Sequence, residues 1–334
     1  MSKSNIISIK TLISVLSKMF GKTIIRAEYE TEQLQGGTMG NVRLVTGIAA
    51  TADGEKLPYK VVWKIQKNRE IPGETKWGRD YDLFMSDFGK IFTNILRWAE
   101  CYHAEIINDE THIWTEYIDG VSGENLTIEI LEYISAEFGK FQGRLYKQPE
   151  ILDNIDCLSD VGWMKRDYGQ WKPETAEYQY IRSENCEIPE HLRQMLIDMD
   201  NKSETIFENI QKLPVVLCHR DFWVENIFYL ASNREIILID WDYTGWGYMG
   251  EDIASLIADD IDIEYMDEYY RRFIPAYYKG ISEYMDIISV NNNCIREMIL
   301  IKFGYRFIHR YIFADTSERK NQQINALQKI YDMP

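Results

Sequence analysis

Residues 215–252, VVLCHRDFWVENIFYLASNREIILIDWDYTGWGYMGED, limit the possible folds more than any other part of the chain. An apolar run at 215–217 leads to His219, and HRDFWVEN follows, with four residues between Asp221 and Asn226. A second apolar run at 227–230, a polar turn at 231–234 and a third run at 235–239 end at Asp240. Short apolar runs broken by a polar turn read as paired strands. Such a hairpin puts Asp221, Asn226 and Asp240 at one end. Two carboxylates and an amide gathered there suit a divalent cation and a hydroxyl that must lose its proton. Magnesium takes hard oxygen ligands of this kind and shares them with phosphate.

The pattern H-x-D-x-x-x-x-N, followed by an apolar run ending in I-D, resembles the catalytic core of the protein-kinase-like fold. It is most similar to the small-molecule branch: aminoglycoside phosphotransferases, choline and ethanolamine kinases and their relatives. The resemblance implies an α+β, two-lobed fold with a small antiparallel β-sheet N-lobe and a larger, mainly helical C-lobe. It places a nucleotide-binding lobe at 1–117 and a catalytic and substrate lobe at 118–334. It also implies that Asp221 is the catalytic residue facing the substrate hydroxyl, that Asn226 and Asp240 hold Mg2+, and that ATP or GTP donates the phosphoryl group. Asp252, in GEDIASLI, matches the acid with which the family opens its next helix.

Toward the N-terminus, residues 24–25, 42–45 and 59–65 are β-rich runs. Between the first two lies QGGTMGNV, where Gly36, Gly37 and Gly40 let backbone approach a phosphate closely. The loop is similar to the Gly-Gly loop of the choline-kinase and phosphotransferase relatives. Lys64 stands amid apolar residues in VVWKIQ. A lysine in a strand core needs an anionic partner, since an unpaired buried charge is expensive. The resemblance supplies nucleotide phosphates and a helix acid as those partners. Asp80 aligns with that acid, where the family usually has the longer Glu, and Glu74 is the alternative. A helix is expected from Arg79 onward, with Tyr81, Phe84, Phe88 and Ile91 on one face. The segment WTEYIDG resembles the hinge between lobes, so Thr115, Glu116 and Tyr117 are expected against the base.

The formal net charge of −16 excludes a nucleic-acid backbone as partner, because such binding needs clustered Lys and Arg. It fits a cationic substrate, and it equally fits a surface kept soluble by acids. Five scattered cysteines without a CxxC pair suit a reduced, cytoplasmic protein. Lys3, Lys10 and Lys18 interrupt the N-terminal apolar residues, so neither a signal peptide nor a membrane partner is expected. Ile6, Ile9, Ile13 and Leu16 instead fall at helical spacing.

In the C-terminal part, 128–146 and 189–212 read as helices. Between them, 153–188 interleaves Trp163, Tyr168, Trp171, Tyr178 and Tyr180 with acids. Aromatic faces and carboxylates suit an amine, so the region is a candidate substrate-lid insertion, with plain packing as the competing account. Asp240 leads to a helix within the short segment 241–250, without DFG, APE or a long activation segment, and a protein substrate is therefore not expected. Trp223, Asp242, Trp246 and Tyr248 are candidate substrate residues. Met266, Tyr269, Tyr270 and Phe273 form one helical stripe, and Ile299, Phe303, Phe307 and Tyr311 another. The expected activity is transfer of the γ-phosphate of ATP to a hydroxyl of a small, cationic, aminoglycoside-like molecule. A choline, ethanolamine or other small-alcohol kinase is the alternative within the class. A nucleotide-binding protein without transfer activity is the alternative outside it.

Overall fold

The structure is a computed structural model that describes residues 7–34, 41–67, 79–259, 263–286 and 292–334. Gly36, Gly37, Gly40, Glu74 and Ile6 lie outside the described residues. The first helix, α1 (Ile9–Phe20), starts where Ser8 Oγ accepts from Thr11 N and ends at Gly21, whose φ of 62° only glycine adopts cheaply. Its buried face is Leu12, Val15 and Leu16, whereas Ile9 is 46% exposed. The expected stripe through Ile9 and Ile13 is thus rotated: Leu12 and Val15 complete the i, i+3, i+4 face that meets the sheet.

That sheet contains β1 (Ile24–Gln33), β2 (Asn41–Thr51), β3 (Lys56–Lys67), β5 (Cys101–Ile107) and β6 (Glu110–Glu116), in the order β1-β2-β3-β6-β5 and antiparallel throughout. The two-residue period of β3 turns Tyr59, Val61, Trp63 and Ile65 into the core shared with α1. The same period turns Lys64 to the opposite face.

After β3, α2 (Arg79–Phe84) is a single short helix, and a 3-10 turn over Asp87–Ile91 follows it. The expected continuous helix breaks at Met85–Ser86, and the buried residues are Leu83, Phe88 and Ile91 rather than Tyr81 and Phe84. Here Ser86 Oγ accepts from Phe88 N and restarts the turn. The strand β4 (Leu96–Trp98) runs parallel to β10 (Glu235–Leu238), in a different sheet from β5 and β6. Phe88, Phe92 and Trp98 pack on one another, and Phe88 and Phe92 also pack on Trp241. Leu83, Phe88, Ile91 and Leu96 therefore belong to the second core, although they precede residue 117.

The second core holds a sheet ordered β4-β10-β9-β7, with β7 (Val121–Ser122) and β9 (Ile227–Leu230). β9 and β10 form the expected hairpin. The strand β8 (Val215–Cys218) does not join it but pairs with β11 (Gly245–Tyr248). Around these pack α3 (Ile128–Lys147), the short α4 (Trp163–Tyr168) and α5 (Ala176–Tyr180), α6 (Glu190–Ile210), α7 (Glu251–Ala258), α8 (Met266–Ile281), α9 (Asn292–Ile312) and α10 (Ser317–Asp332). Both expected stripes, on α8 and on α9, are buried. All five cysteines are free thiols. Among the described residues no helix is long and apolar enough to cross a membrane.

α3 and α8 approach each other through glycine. A Cβ on Gly280 would run into the Ala136 carbonyl, and one on Gly139 into the Tyr277 carbonyl. Backbone cannot give way as a flexible side chain can, so Gly280→Ala is expected to destabilise the protein by about 2 kcal/mol. A denaturant midpoint that does not move would refute this close packing.

Candidate active site

The site is built where β8 ends. His219 N and Arg220 N donate to the two oxygens of Asp252, at 3.0 and 2.7 Å, in the first turn of α7. Gln142 of α3 donates to the same carboxylate (3.1 Å) and to Leu217 O (2.8 Å). Burial pushes the Asp252 pKa up to about 6, Glu251 adds to this, and the Arg220 N–H opposes it. Arg220 and Asp240 both have left-handed backbones, with φ of 69° and 62°. Such conformations cost roughly 1–3 kcal/mol each and persist where surrounding contacts over-determine them.

His219 joins the two strained points. Its Nδ1 accepts from Asp221 N (3.3 Å) and its Nε2 lies 3.0 Å from Ile239 O. The carbonyl can only accept, so the proton sits on Nε2. Burial pushes the His219 pKa down to about 3, which keeps the ring neutral in this bridge. Asp221 thereby lies at a fixed distance from the start of Asp240. Its Oδ2 accepts from Asn226 Nδ2 (2.7 Å), which also reaches Asp221 O (2.9 Å). Burial and the nearby Asp240 carboxylate push the Asp221 pKa up to about 6, against the Asn226 hydrogen bond.

Lys64 enters from β3. Its Nζ lies 2.7 Å from Asp80 Oδ2, 2.9 Å from Asp240 Oδ1 and 3.7 Å from Asp242 Oδ2. The shorter reach of Asp80 is compensated by its position at the very start of α2. Its backbone N donates to Asp242 Oδ1 (2.9 Å) and its Oδ1 accepts from Trp241 N (3.1 Å). Burial works against the Lys64 ammonium, yet Asp240, Asp80 and Asp242 together raise its pKa well above the usual lysine value. For Asp80, burial and Asp242 prevail over Lys64 and raise the pKa. Asp242 is held below the carboxylate range despite its burial, by Lys64 and by bonds from Asp80 N and Gln66.

Asp80, Asp240 and Asp242 have oxygens within 4.8 Å of one another. The Lys64 ammonium lies among this trio and binds one oxygen each of Asp80 and Asp240, which leaves Asp240 a second oxygen for a metal ion. The Asn226 amide nitrogen is committed to Asp221, which leaves Oδ1 free to ligate. Asp240 uses Oδ1 on Lys64, and its side chain is 39% exposed. An amide oxygen and a carboxylate oxygen are the hard donors that magnesium prefers.

Asp242, expected at the substrate, is buried, and Gln66 Nε2 bonds its Oδ2 (2.6 Å). The left-handed turn at Asp240 breaks the strand period and directs Asp242 to the Lys64 side. Tyr248 is buried in β11 opposite Val215, so it too is a core residue. Trp246 pairs with Leu217, and Trp223 is half-buried before the 3-10 turn Val224–Asn226. At the strand end, Thr115 faces Val62 and Cys101. Glu116 N donates to Glu100 O (3.0 Å), and its carboxylate binds Arg97. Tyr117 lies under Lys60 Nζ, 5.0 Å from the ring centre.

In the 153–188 region the rings pack inward. Trp171 and Tyr178 stack on Tyr305, and Tyr180 meets Tyr311. Three of its acids are paired within the chain: Asp160 with Arg166, Asp167 with Arg306, and Glu177 with His309. Sequence reasoning missed Asp259, which ends α7, pairs with Arg310 (3.5 Å) and adds to the upward push on the Asp221 pKa. A cavity of about 870 Å³ lies between α8, α9 and α10, with no residue of the catalytic loop in its walls.

A model of the phosphotransferase enzyme family matches residues 103–286. The chain is 32% identical to mouse (Mus musculus) ethanolamine kinase 1 over 80 residues, 20% of this chain and 22% of that protein. To Caenorhabditis elegans choline kinase B1 it is 25% identical over 141 residues, 38% of this chain and 36% of that protein. The aligned stretches thus span between a fifth and about a third of these curated relatives. The crystal structure of choline kinase from Cryptosporidium parvum Iowa II superposes with a TM-score of 0.56 at 17% identity, covering 91% of this chain and 89% of that one, which is a likeness of fold. With more than half of its length matched by the family model, the chain belongs to the phosphotransferase enzyme family.

Proposed function

We propose that the protein is an ATP-dependent kinase that phosphorylates the hydroxyl of a small amino alcohol of the ethanolamine or choline kind. The observation that carries this is the convergence of Asp221, Asn226, Asp240 and Lys64 from three separate segments. Asp221 orients the acceptor hydroxyl and takes its proton. Lys64, held by Asp80, reaches the nucleotide phosphates. Asn226 and Asp240 are the magnesium ligands, and the ion neutralises phosphate charge when bound. These residues contribute mainly position and charge, which is most of what phosphoryl transfer demands. Residues 1–117 supply the nucleotide side of the cleft and later residues the acceptor side.

Two points favour a small amino alcohol over an aminoglycoside-like polyamine. The curated relatives above are ethanolamine and choline kinases. Three of the acids of 153–188 that would attract a polyamine, Asp160, Asp167 and Glu177, are paired with Arg166, Arg306 and His309. The test is ADP formation with magnesium and ATP over ethanolamine, choline, a neutral diol and kanamycin. Ethanolamine or choline is expected to give the highest kcat/KM. Its KM is expected to rise severalfold with salt, because screening weakens attraction between charges. A preference for the neutral diol, or a KM indifferent to salt, overturns the cationic acceptor. A preference for kanamycin restores the polyamine reading.

A further inference from the structure

Lys302 is a cation buried beneath the catalytic loop, and the phosphotransfer roles above leave it unused. It lies on α9, distant in sequence from every motif, and is only 3% exposed. Its Nζ donates to Arg220 O (3.1 Å) and to Ser255 Oγ. No carboxylate lies within ion-pair distance of it among the described residues. The ring of Trp163, from the 153–188 region, lies 5.6 Å from the ammonium and 5.3 Å from the Arg220 guanidinium. The hydrogen-bond partners of Lys302 are neutral, and its charge acts at longer range on Asp221 and Asp252, where it offsets part of the upward push on both. Plain packing against Phe303 would be served better by leucine or methionine.

The bond to Arg220 O has a consequence one residue further on. Arg220 has the left-handed backbone, and its peptide continues into Asp221. One side of that peptide unit is the Arg220 carbonyl, held by Lys302. The other is Asp221 N–H, which donates to His219 Nδ1, and His219 Nε2 reaches Ile239 O. A single hydrogen-bonded line thus runs from Lys302 through the peptide that carries Asp221 to the residue before Asp240. Asp252 grips the preceding N–H of Arg220. The strained residue is therefore clamped by an ammonium at its carbonyl and a carboxylate at its amide. The Arg220 side chain adds bonds to Ser159 Oγ, Asp160 O and Trp246 O.

We infer that Lys302 is a positioning residue for Asp221: its ammonium fixes the Arg220–Asp221 peptide and so sets the direction of the catalytic carboxylate. This rests on Asp221 being the group that meets the acceptor. Lys302 touches neither nucleotide nor acceptor, so its removal acts on kcat and not on nucleotide affinity. A displacement of about 1 Å at the reacting group costs on the order of 100-fold in rate.

The experiment compares wild type, Lys302→Met and Ser255→Ala in the full-length protein. It measures kcat with ethanolamine and choline, ADP affinity by calorimetry, and amide hydrogen exchange across 217–223. Lys302→Met is expected to lower kcat about 100-fold, leave ADP affinity within about twofold, and accelerate exchange at 221–222 alone. Ser255→Ala keeps the ammonium but removes its second anchor, and a smaller loss of kcat with the same local exchange is expected. A merely structural lysine would raise exchange throughout the protein and weaken ADP binding in proportion to kcat, which overturns the inference. So would unchanged kcat and unchanged exchange in Lys302→Met. Should Lys302→Met fail to fold, Ser255→Ala decides alone, and wild-type values for it overturn the inference. Absence of turnover by wild type itself counts against the kinase reading, and the exchange pattern then still decides the role of Lys302.

Discussion

Asp221→Asn is expected to lower kcat by about 1,000-fold, within the range that a positioned general base contributes, while ADP binds as tightly as to wild type. Asparagine is the informative replacement because it preserves shape. Its amide oxygen can still accept from Asn226 Nδ2, as the Asp221 carboxylate does at 2.7 Å. The bridge from Asp221 N to the His219 ring uses only the backbone of residue 221 and is untouched. The variant therefore loses the proton acceptor and little else. Its removal also takes one negative charge from beside Asp240, which cannot weaken the binding of an anionic nucleotide. Initial rates with magnesium and ATP, beside calorimetry with ADP, separate the two effects. A variant that keeps a tenth or more of its turnover (~1 kcal/mol of barrier) would remove Asp221 from the proton-transfer role.

How much of this was legible in the sequence follows from how local each feature is. The β9–β10 hairpin carries its own punctuation, so Asn226 and Asp240 could be placed at one end of it. Lys64 was readable because a lysine in an apolar strand requires an anion, and Asp80 supplies one. Gln66 could have been found by the same period, since it lies two residues along β3 on the face of Lys64. Asp242 could not, because the alternation that would place it fails at the left-handed Asp240. The pairing of β8 with β11 was hidden for a different reason. Gly245 and Gly247 give β11 little strand character, yet a Cβ at either would strike Ser159, or Glu251 and Cys218. Those glycines mark close approach rather than a loop. β4 is three residues long and parallel to a strand far along the chain, and neither property leaves a local pattern. Lys302 shares α9 with the buried Phe303 and Phe307, and its partner is a backbone carbonyl, which any residue possesses.

Lys64→Met is expected to destabilise the protein by about 3 kcal/mol in metal-free buffer and to abolish measurable ATP binding. Methionine fills the volume, so the loss is one of charge. Asp80 and Asp242 are buried, with side chains 8% and 5% exposed, and the Lys64 ammonium lies between them and Asp240. Removing one partner of a buried charged group leaves the others uncompensated, which costs roughly 3–5 kcal/mol. The low end applies here because Asp240 can turn to water and Asp242 keeps its bonds from Asp80 N and Gln66. The double variant Lys64→Met/Asp80→Asn separates stability from binding. It removes one stranded carboxylate and keeps an oxygen that can accept from Trp241 N, as Asp80 Oδ1 does. About half of the lost stability is expected to return, since coupled neighbours are not additive. ATP binding is not expected to return, because no cation then faces the phosphates from β3. Two denaturant curves and two binding isotherms decide this. A double variant no more stable than the single one would mean that the acids around Lys64 are already satisfied by other groups. ATP binding recovered without Lys64 would mean that the phosphates are held from another part of the cleft.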